Sequence, residues 1–190
     1  LGGPSKKLNV NVGTAVSFSP DGSQIVFRRS LGERRSAGLF VSNADGTGER
    51  EIAWIKHPDG IWDPAWSPDG KTIVFASGNP SGGTKMYVAH VPSEGGTITP
   101  VSTQRWRWVG RMAWLPGSSG LVMVASDSAA APYQVWQLDY PSGEARKKAP
   151  RELRIGAFEL GPGGHRGLLH RGVGVLPRQA GLGQGEQHLL

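Results

Sequence analysis

Cysteine is absent from all 190 residues. That excludes disulfides and thiol chemistry, although it assigns no compartment. Long apolar runs are missing too. Nothing approaches the roughly 18 residues needed to span a membrane as a helix, so no membrane span is expected in this chain. No secretory leader stands at the start, an absence that carries no weight if the N-terminus is truncated. Charged residues are sparse, at 19%. A Gly-x-Ser-x-Gly nucleophile elbow does not occur; Gly117-Ser118-Ser119-Gly120 has the wrong spacing and suits a hairpin turn. Without Gly-x-x-x-x-Gly-Lys-Ser/Thr or a strand–Gly loop–helix context, no phosphate or dinucleotide cofactor is indicated, and Gly46-Thr47-Gly48 fits a turn. The histidines at 57, 90, 165, 170 and 188 lack the close spacing of a zinc ligand set. No catalytic residue, metal or cofactor is therefore expected. The net charge of +6 invites a nucleic-acid partner. However, the basic residues are scattered (Arg28-Arg29, Arg34-Arg35, Arg105, Arg107, Arg146 to Lys148), and no nucleic acid is expected.

What the chain has instead is a turn on a fixed step. Ser19-Pro20-Asp21-Gly22 returns as Ser67-Pro68-Asp69-Gly70, with a degenerate third copy at Leu115-Pro116-Gly117-Ser118. The prolines at 20, 68 and 116 are 48 residues apart, and a constant period of this size marks a repeat architecture. Proline pre-sets φ, aspartate can bond its own backbone, and glycine accepts positive φ, so each copy suits a hairpin. Short β-branched and aromatic runs flank the turns. Val16-Ser17-Phe18, Ala65-Trp66 and Ala113-Trp114 come before; Gln24 to Phe27, Thr72 to Phe75 and Leu121 to Val124 come after. A third run follows in each unit, at Leu39-Phe40-Val41, Met86-Tyr87-Val88 and Gln134 to Leu138. A more polar fourth closes it, at Glu49 to Ile52, Thr97-Ile98-Thr99 and Ala145 to Lys147. Outer strands are expected to be polar because charge discourages edge pairing.

Four antiparallel strands in just under fifty residues make one propeller blade. Trp66-Ser67-Pro68-Asp69-Gly70-Lys71-Thr72-Ile73-Val74-Phe75 resembles the repeat of TolB-like, WD-like β-propellers, and Phe18 to Phe27 resembles it as well. The third copy keeps Trp114 and Pro116 without the Asp-Gly. The expected fold is therefore all-β, a partial β-propeller of consecutive four-stranded antiparallel blades. Residues 1–148 divide into the end of a preceding blade (1–12), two blades (13–54 and 60–102) and a degenerate blade (108–148). A ring typically holds four to eight blades, so the chain is expected to be a piece of a longer protein. Exposed blade faces would make it marginal or aggregation-prone when isolated.

Residues 149–190 break the pattern. They contain no Asp, Lys, Trp or Tyr, and Gly161-Pro162-Gly163-Gly164-His165 stands where the next turn is due. The expectation is an atypical, poorly packed Gly-rich tail, either out of its native reading frame from near residue 149 or a genuine Gly-rich segment.

Trp66 and Trp114 share a register with Phe18 and are expected between blades; Trp136 aligns with Phe40 and Tyr87 and is expected in the core. Trp62, Trp106 and Trp108 fall in inter-blade connections, where loops carry binding. Asp63, just before the innermost strand of its blade, corresponds to Ala15 and Arg111. Asp63 and Arg111 are expected to face one another across adjacent blades, either as a structural ion pair or loop-capping aspartate or as a ligand site at the channel mouth. These five residues are the candidate ligand- or partner-binding set.

The resemblance implies a non-catalytic interaction or sensor module for a protein or peptide partner, with a small ligand as an alternative. Such propellers form sensory regions of bacterial serine/threonine kinases, whose His-Arg-Asp and Asp-Phe-Gly signatures are absent here. Two other readings follow from it: the propeller of a prolyl-oligopeptidase-like serine peptidase whose catalytic domain lies elsewhere, and a periplasmic TolB-like translocation component. An extracytoplasmic or periplasmic location is the weak implication of the family.

Overall fold

The computed structural model describes residues 11–13, 16–30, 36–79, 81 and 85–148. The expectations for the tail, the histidines beyond residue 148, Ala15 and the strand before residue 11 lie outside these residues. Among the described residues, twelve strands form three four-stranded antiparallel sheets. The first holds β1 (Ser17–Phe18), β2 (Gln24–Ser30), β3 (Ser36–Asn43) and β4 (Arg50–Lys56). The second holds β5 (Gly60–Trp66), β6 (Thr72–Gly78), β7 (Tyr87–Pro92) and β8 (Thr99–Pro100). The third holds β9 (Trp108–Trp114), β10 (Gly120–Ser126), β11 (Gln134–Asp139) and β12 (Ala145–Lys147). Strand order follows the sequence in every sheet, as in an up-and-down meander. The first strands lie side by side, β5 touching both β1 and β9. No helix among the described residues is long and apolar enough to cross a membrane.

The turn chemistry explains the repeat. Ser19 Oγ donates to Asp21 Oδ1 at 2.6 Å and accepts the Gln24 N–H at 2.9 Å. In the second sheet Ser67 Oγ donates to Asp69 Oδ1 at 2.6 Å and accepts the Thr72 N–H at 2.9 Å. Gly22 and Gly70, at φ 72° and 75°, place their N–H groups on the Ser19 and Ser67 carbonyls, a left-handed conformation that glycine adopts without steric cost. Leu115 cannot supply the hydroxyl, so the third turn is held differently. The Leu115 N–H still reaches the Gly120 carbonyl, and Ser119 Oγ donates to the Pro116 carbonyl.

Alternation along the strands gives each sheet two apolar faces, and the faces stack. Ile73, Phe75 and Trp66 of the second sheet join Val26, Leu39 and Val41 of the first in one core cluster. Leu121, Met123, Trp114 and Trp136 of the third join Val74, Ala76 and Val88 of the second in another. Residues 26 and 74 therefore face the sheet that follows, and residues 73 and 121 the sheet that precedes.

Some local expectations need correction. Trp62 and Trp108 lie inside β5 and β9 rather than in connections, and Asp63 lies within β5 rather than before it. The last strand of the second sheet is Thr99–Pro100, shifted from Thr97–Thr99; in the turn before it the Gly95 N–H bonds the Pro92 carbonyl and the Gly96 N–H reaches the Ile52 carbonyl of the first sheet. Trp136 does match Phe40, since they pair Met123 and Phe27. The third member of that set is Ala89, opposite Phe75, and not Tyr87.

Candidate functional site

The inner strands carry a matched irregularity. Pairing of β5 with β6 skips between Trp62 and Ala65, and that of β9 with β10 skips between Gly110 and Met112. Asp63 and Arg111 sit at these bulges with φ of 45° and 48°. Aspartate tolerates this left-handed region better than arginine, whose Cβ is crowded there. The two residues do meet, but through the backbone: Asp63 Oδ2 accepts the Arg111 N–H at 3.0 Å. One carboxylate thus satisfies the amide that the bulge releases from its own ladder, and it ties two sheets together. Gly110 makes the approach possible. A Cβ there would lie 2.2 Å from Trp108 Cη2 and 3.0 Å from Asp63 Oδ2.

The tryptophans separate. Trp106 is fully buried and meets Trp136 edge-on, ring centres 5.8 Å apart. It cannot contact a partner, which corrects its place in the candidate set. The cause is local: residues 86 and 106 exchange backbone bonds, drawing this connection into the core. Trp62 and Trp108 are half-buried, and Tyr133 packs edge-on against Trp108 at 5.1 Å.

Two clefts open between the first and second sheets. The larger, about 610 Å³, lies at the outer rim among Ile52, Trp54, Ile55, Tyr87 and Ile98. The second, about 320 Å³, lies where the β4–β5 connection meets the start of β5. Arg28, Ser30, His57, Asp59, Trp62 and Asn79 are among its walls. The sequence pointed to Trp62 alone; the rest converge from separate strands and connections, which no local motif records. At the next junction the residue 48 positions beyond exposed Pro58 is the buried Trp106.

Four of the described titrating groups respond to their surroundings, among them Asp127, whose carboxyl is lowered by the hydrogen bond from Lys147. Hydrogen bonds from Ser19 and Ser23 lower the Asp21 carboxyl to about 2. The Ser67 hydroxyl, then the Lys71 N–H, lower Asp69. Burial lowers the imidazole of His90, whose Nδ1 lies 2.9 Å from the Tyr140 hydroxyl of the third sheet.

No family model matches the chain, and no curated protein matches it. Solved structures do. The putative TolB from Agrobacterium tumefaciens superposes with a TM-score of 0.60 at 17% identity, over 74% of this chain and 50% of that one. An oligogalacturonate lyase in complex with manganese gives 0.56 at 18% identity, covering 77% and 38%. The β-propeller domain of the Trilobed protease from Pyrococcus furiosus gives 0.51 at 17%, covering 73% and 43%. The chain thus spans half the length of the first and less of the others. Sheets, stacking and neighbours agree: the described residues are three consecutive blades of a β-propeller, similar in construction to TolB.

Proposed function

We propose that this chain is a non-catalytic binding module, with the blade divisions 13–54, 60–102 and 108–148, that takes a protein, peptide or small ligand on the end carrying the β4–β5 connection. The observation that carries this reading is the 320 Å³ cleft, whose polar and aromatic side chains are mounted on two stacked sheets. Loops on a rigid scaffold are where binding residues concentrate. Trp62 supplies an aromatic wall there. Asp63 and Arg111, candidates for ligand contact in the sequence, act in this reading as positioning residues, since the bond between them fixes the inner strands beside the cleft. A sensory region attached to a kinase is the specific form we favour. The similarity to a protease's propeller domain supports the peptidase-linked form as a second reading.

Intrinsic tryptophan fluorescence of the full chain, titrated with a library of peptides and small metabolites, tests the reading. Saturable binding without turnover is expected. Turnover of a bound compound, or no saturable binding by any of them, contradicts it. The peptidase-linked form predicts a Gly-x-Ser-x-Gly elbow downstream in the gene, and its absence there removes that form.

A further inference from the structure

Arg28 and Asp59 line the same 320 Å³ cleft, and neither is ion-paired among the described residues. The Nε of Arg28 is buried without a hydrogen-bond partner. Leaving a buried donor of a charged group unsatisfied is costly, and such atoms in native structures call for an explanation. The guanidinium lies close to Gly13, where an added Cβ would come within 2.8 Å of Nη1. Asp59 belongs to the connection between β4 and β5, which also lines the cleft. The half-buried Trp62 and two apolar residues, Ala37 and Pro58, line the same cleft.

A ligand that is only anionic would satisfy Arg28 and be repelled by Asp59; one that is only cationic meets the reverse. A ligand carrying both charges about one small apolar body satisfies both. The volume sits at the lower end of the roughly 300–1,000 Å³ of small-molecule sites, which limits the ligand to a single residue or a very short peptide. We propose that this cleft binds a zwitterionic α-amino acid with an apolar side chain. Its carboxylate meets the Arg28 fork, its ammonium meets Asp59, and its side chain lies on Trp62. Ser30, His57 and Asn79 are the polar groups placed to fix its orientation.

This inference rests on the binding-module reading, and its test separates the two. The full chain is titrated with L-phenylalanine, N-acetyl-L-phenylalanine and L-phenylalaninamide, with binding followed by calorimetry and by intrinsic tryptophan fluorescence. Free phenylalanine is expected to bind saturably, and each blocked form to lose about tenfold or more in affinity, the scale of one charge-assisted contact. Arg28→Gln and Asp59→Asn should each cause a similar loss while the melting temperature stays within a few degrees. The blocked ligands make the same comparison on the unaltered protein, so a variant that fails to fold removes nothing. Equal affinity for either blocked form overturns the proposal. Failure of every free amino acid to bind, with saturable binding of another library compound, overturns it and leaves the module reading standing. No binding by any compound overturns both.

Discussion

The same sequence position behaves differently at the outer and inner faces of the array. Phe18, Trp66 and Trp114 occupy equivalent places at the ends of β1, β5 and β9, yet Phe18 is 58% exposed while Trp66 and Trp114 are 8% and 6% exposed. On the opposite face, Val26 and Val74 are fully buried, and Val122, their equivalent in the third sheet, is only half-buried. A blade therefore does not hide these side chains by itself. The neighbouring blade hides them, as expected for repeats whose stability is a sum of unit and interface terms. The outer face of the first sheet also shows a substitute for a neighbour. Phe27 and Phe40 pack ring to ring, and the Arg29 guanidinium, paired with Glu49, lies 5.4 and 4.7 Å from their centroids. A cation over aromatic faces contributes roughly 0.5–2 kcal/mol.

Truncating the aromatics breaks the comparison most forcefully. Trp114→Ala is expected to destabilise the chain by about 3–5 kcal/mol through lost packing and the cavity left behind, and Trp66→Ala similarly. Phe18→Ala should stay within about 0.5 kcal/mol, as an exposed substitution does. Urea unfolding of the three variants ranks them, and a Phe18 cost equal to that of Trp114 would defeat the stacking account.

Asp63→Ala comes next. It removes the acceptor of the solvent-exposed Arg111 N–H, at a cost of about 0.5–1.5 kcal/mol. Because that contact reaches the backbone, Arg111→Ala does not remove it. A double-mutant cycle on the two side chains should therefore be additive within about 0.5 kcal/mol. Strong coupling in urea melts would instead reveal a guanidinium–carboxylate interaction.

Gly143→Ala sharpens the comparison at the outer junction of the second and third blades. With φ at 73° and a built Cβ 2.1 Å from the Val101 carbonyl oxygen, the change should cost at least about 1–2 kcal/mol from the backbone conformation alone. Circular-dichroism melts measure it.

The smallest effect concerns acid. Asp21 and Asp69 have folded pKa values below their unfolded ones. Their stabilisation is therefore complete above the unfolded carboxylate value near 3.9 and falls away as pH drops toward the folded values, about 2 for Asp21. The paired variant Asp21→Asn, Asp69→Asn should melt below the natural chain at pH 6, with the gap narrowing from pH 4 to pH 2. A gap that does not change with pH would show that the carboxylate charge contributes nothing. The third turn, with Leu115 and Gly117 in the places of the serine and the aspartate, has no such carboxylate.

How much of this was legible in the sequence follows from what is periodic. The turn step located the hairpins, because serine, aspartate and glycine act on their own backbone within a few residues. The fates of Trp66 and Trp114 followed from their shared register. The bulge left a weaker trace: Asp63 and Arg111 stand 48 residues apart, but nothing local announces positive φ at an arginine. Trp106 was misplaced because its burial depends on a bridge to Met86, a contact between segments that neither segment encodes alone. The cleft was invisible for the same reason. Arg28 belongs to a strand, Asp59 to a connection, and only the stacking of two sheets brings them to one space.

Indole hydrogen exchange, followed residue by residue by NMR, tests the stacking claim most directly. Trp114 donates its Nε1–H to the Ala65 carbonyl of the preceding blade at 3.1 Å, whereas the Trp54 side chain belongs to a residue 57% exposed on an outer strand. The account predicts that the Trp114 indole proton exchanges orders of magnitude more slowly than that of Trp54, at the rate set by separation of the two blades. Exchange of Trp114 as fast as Trp54 would contradict it.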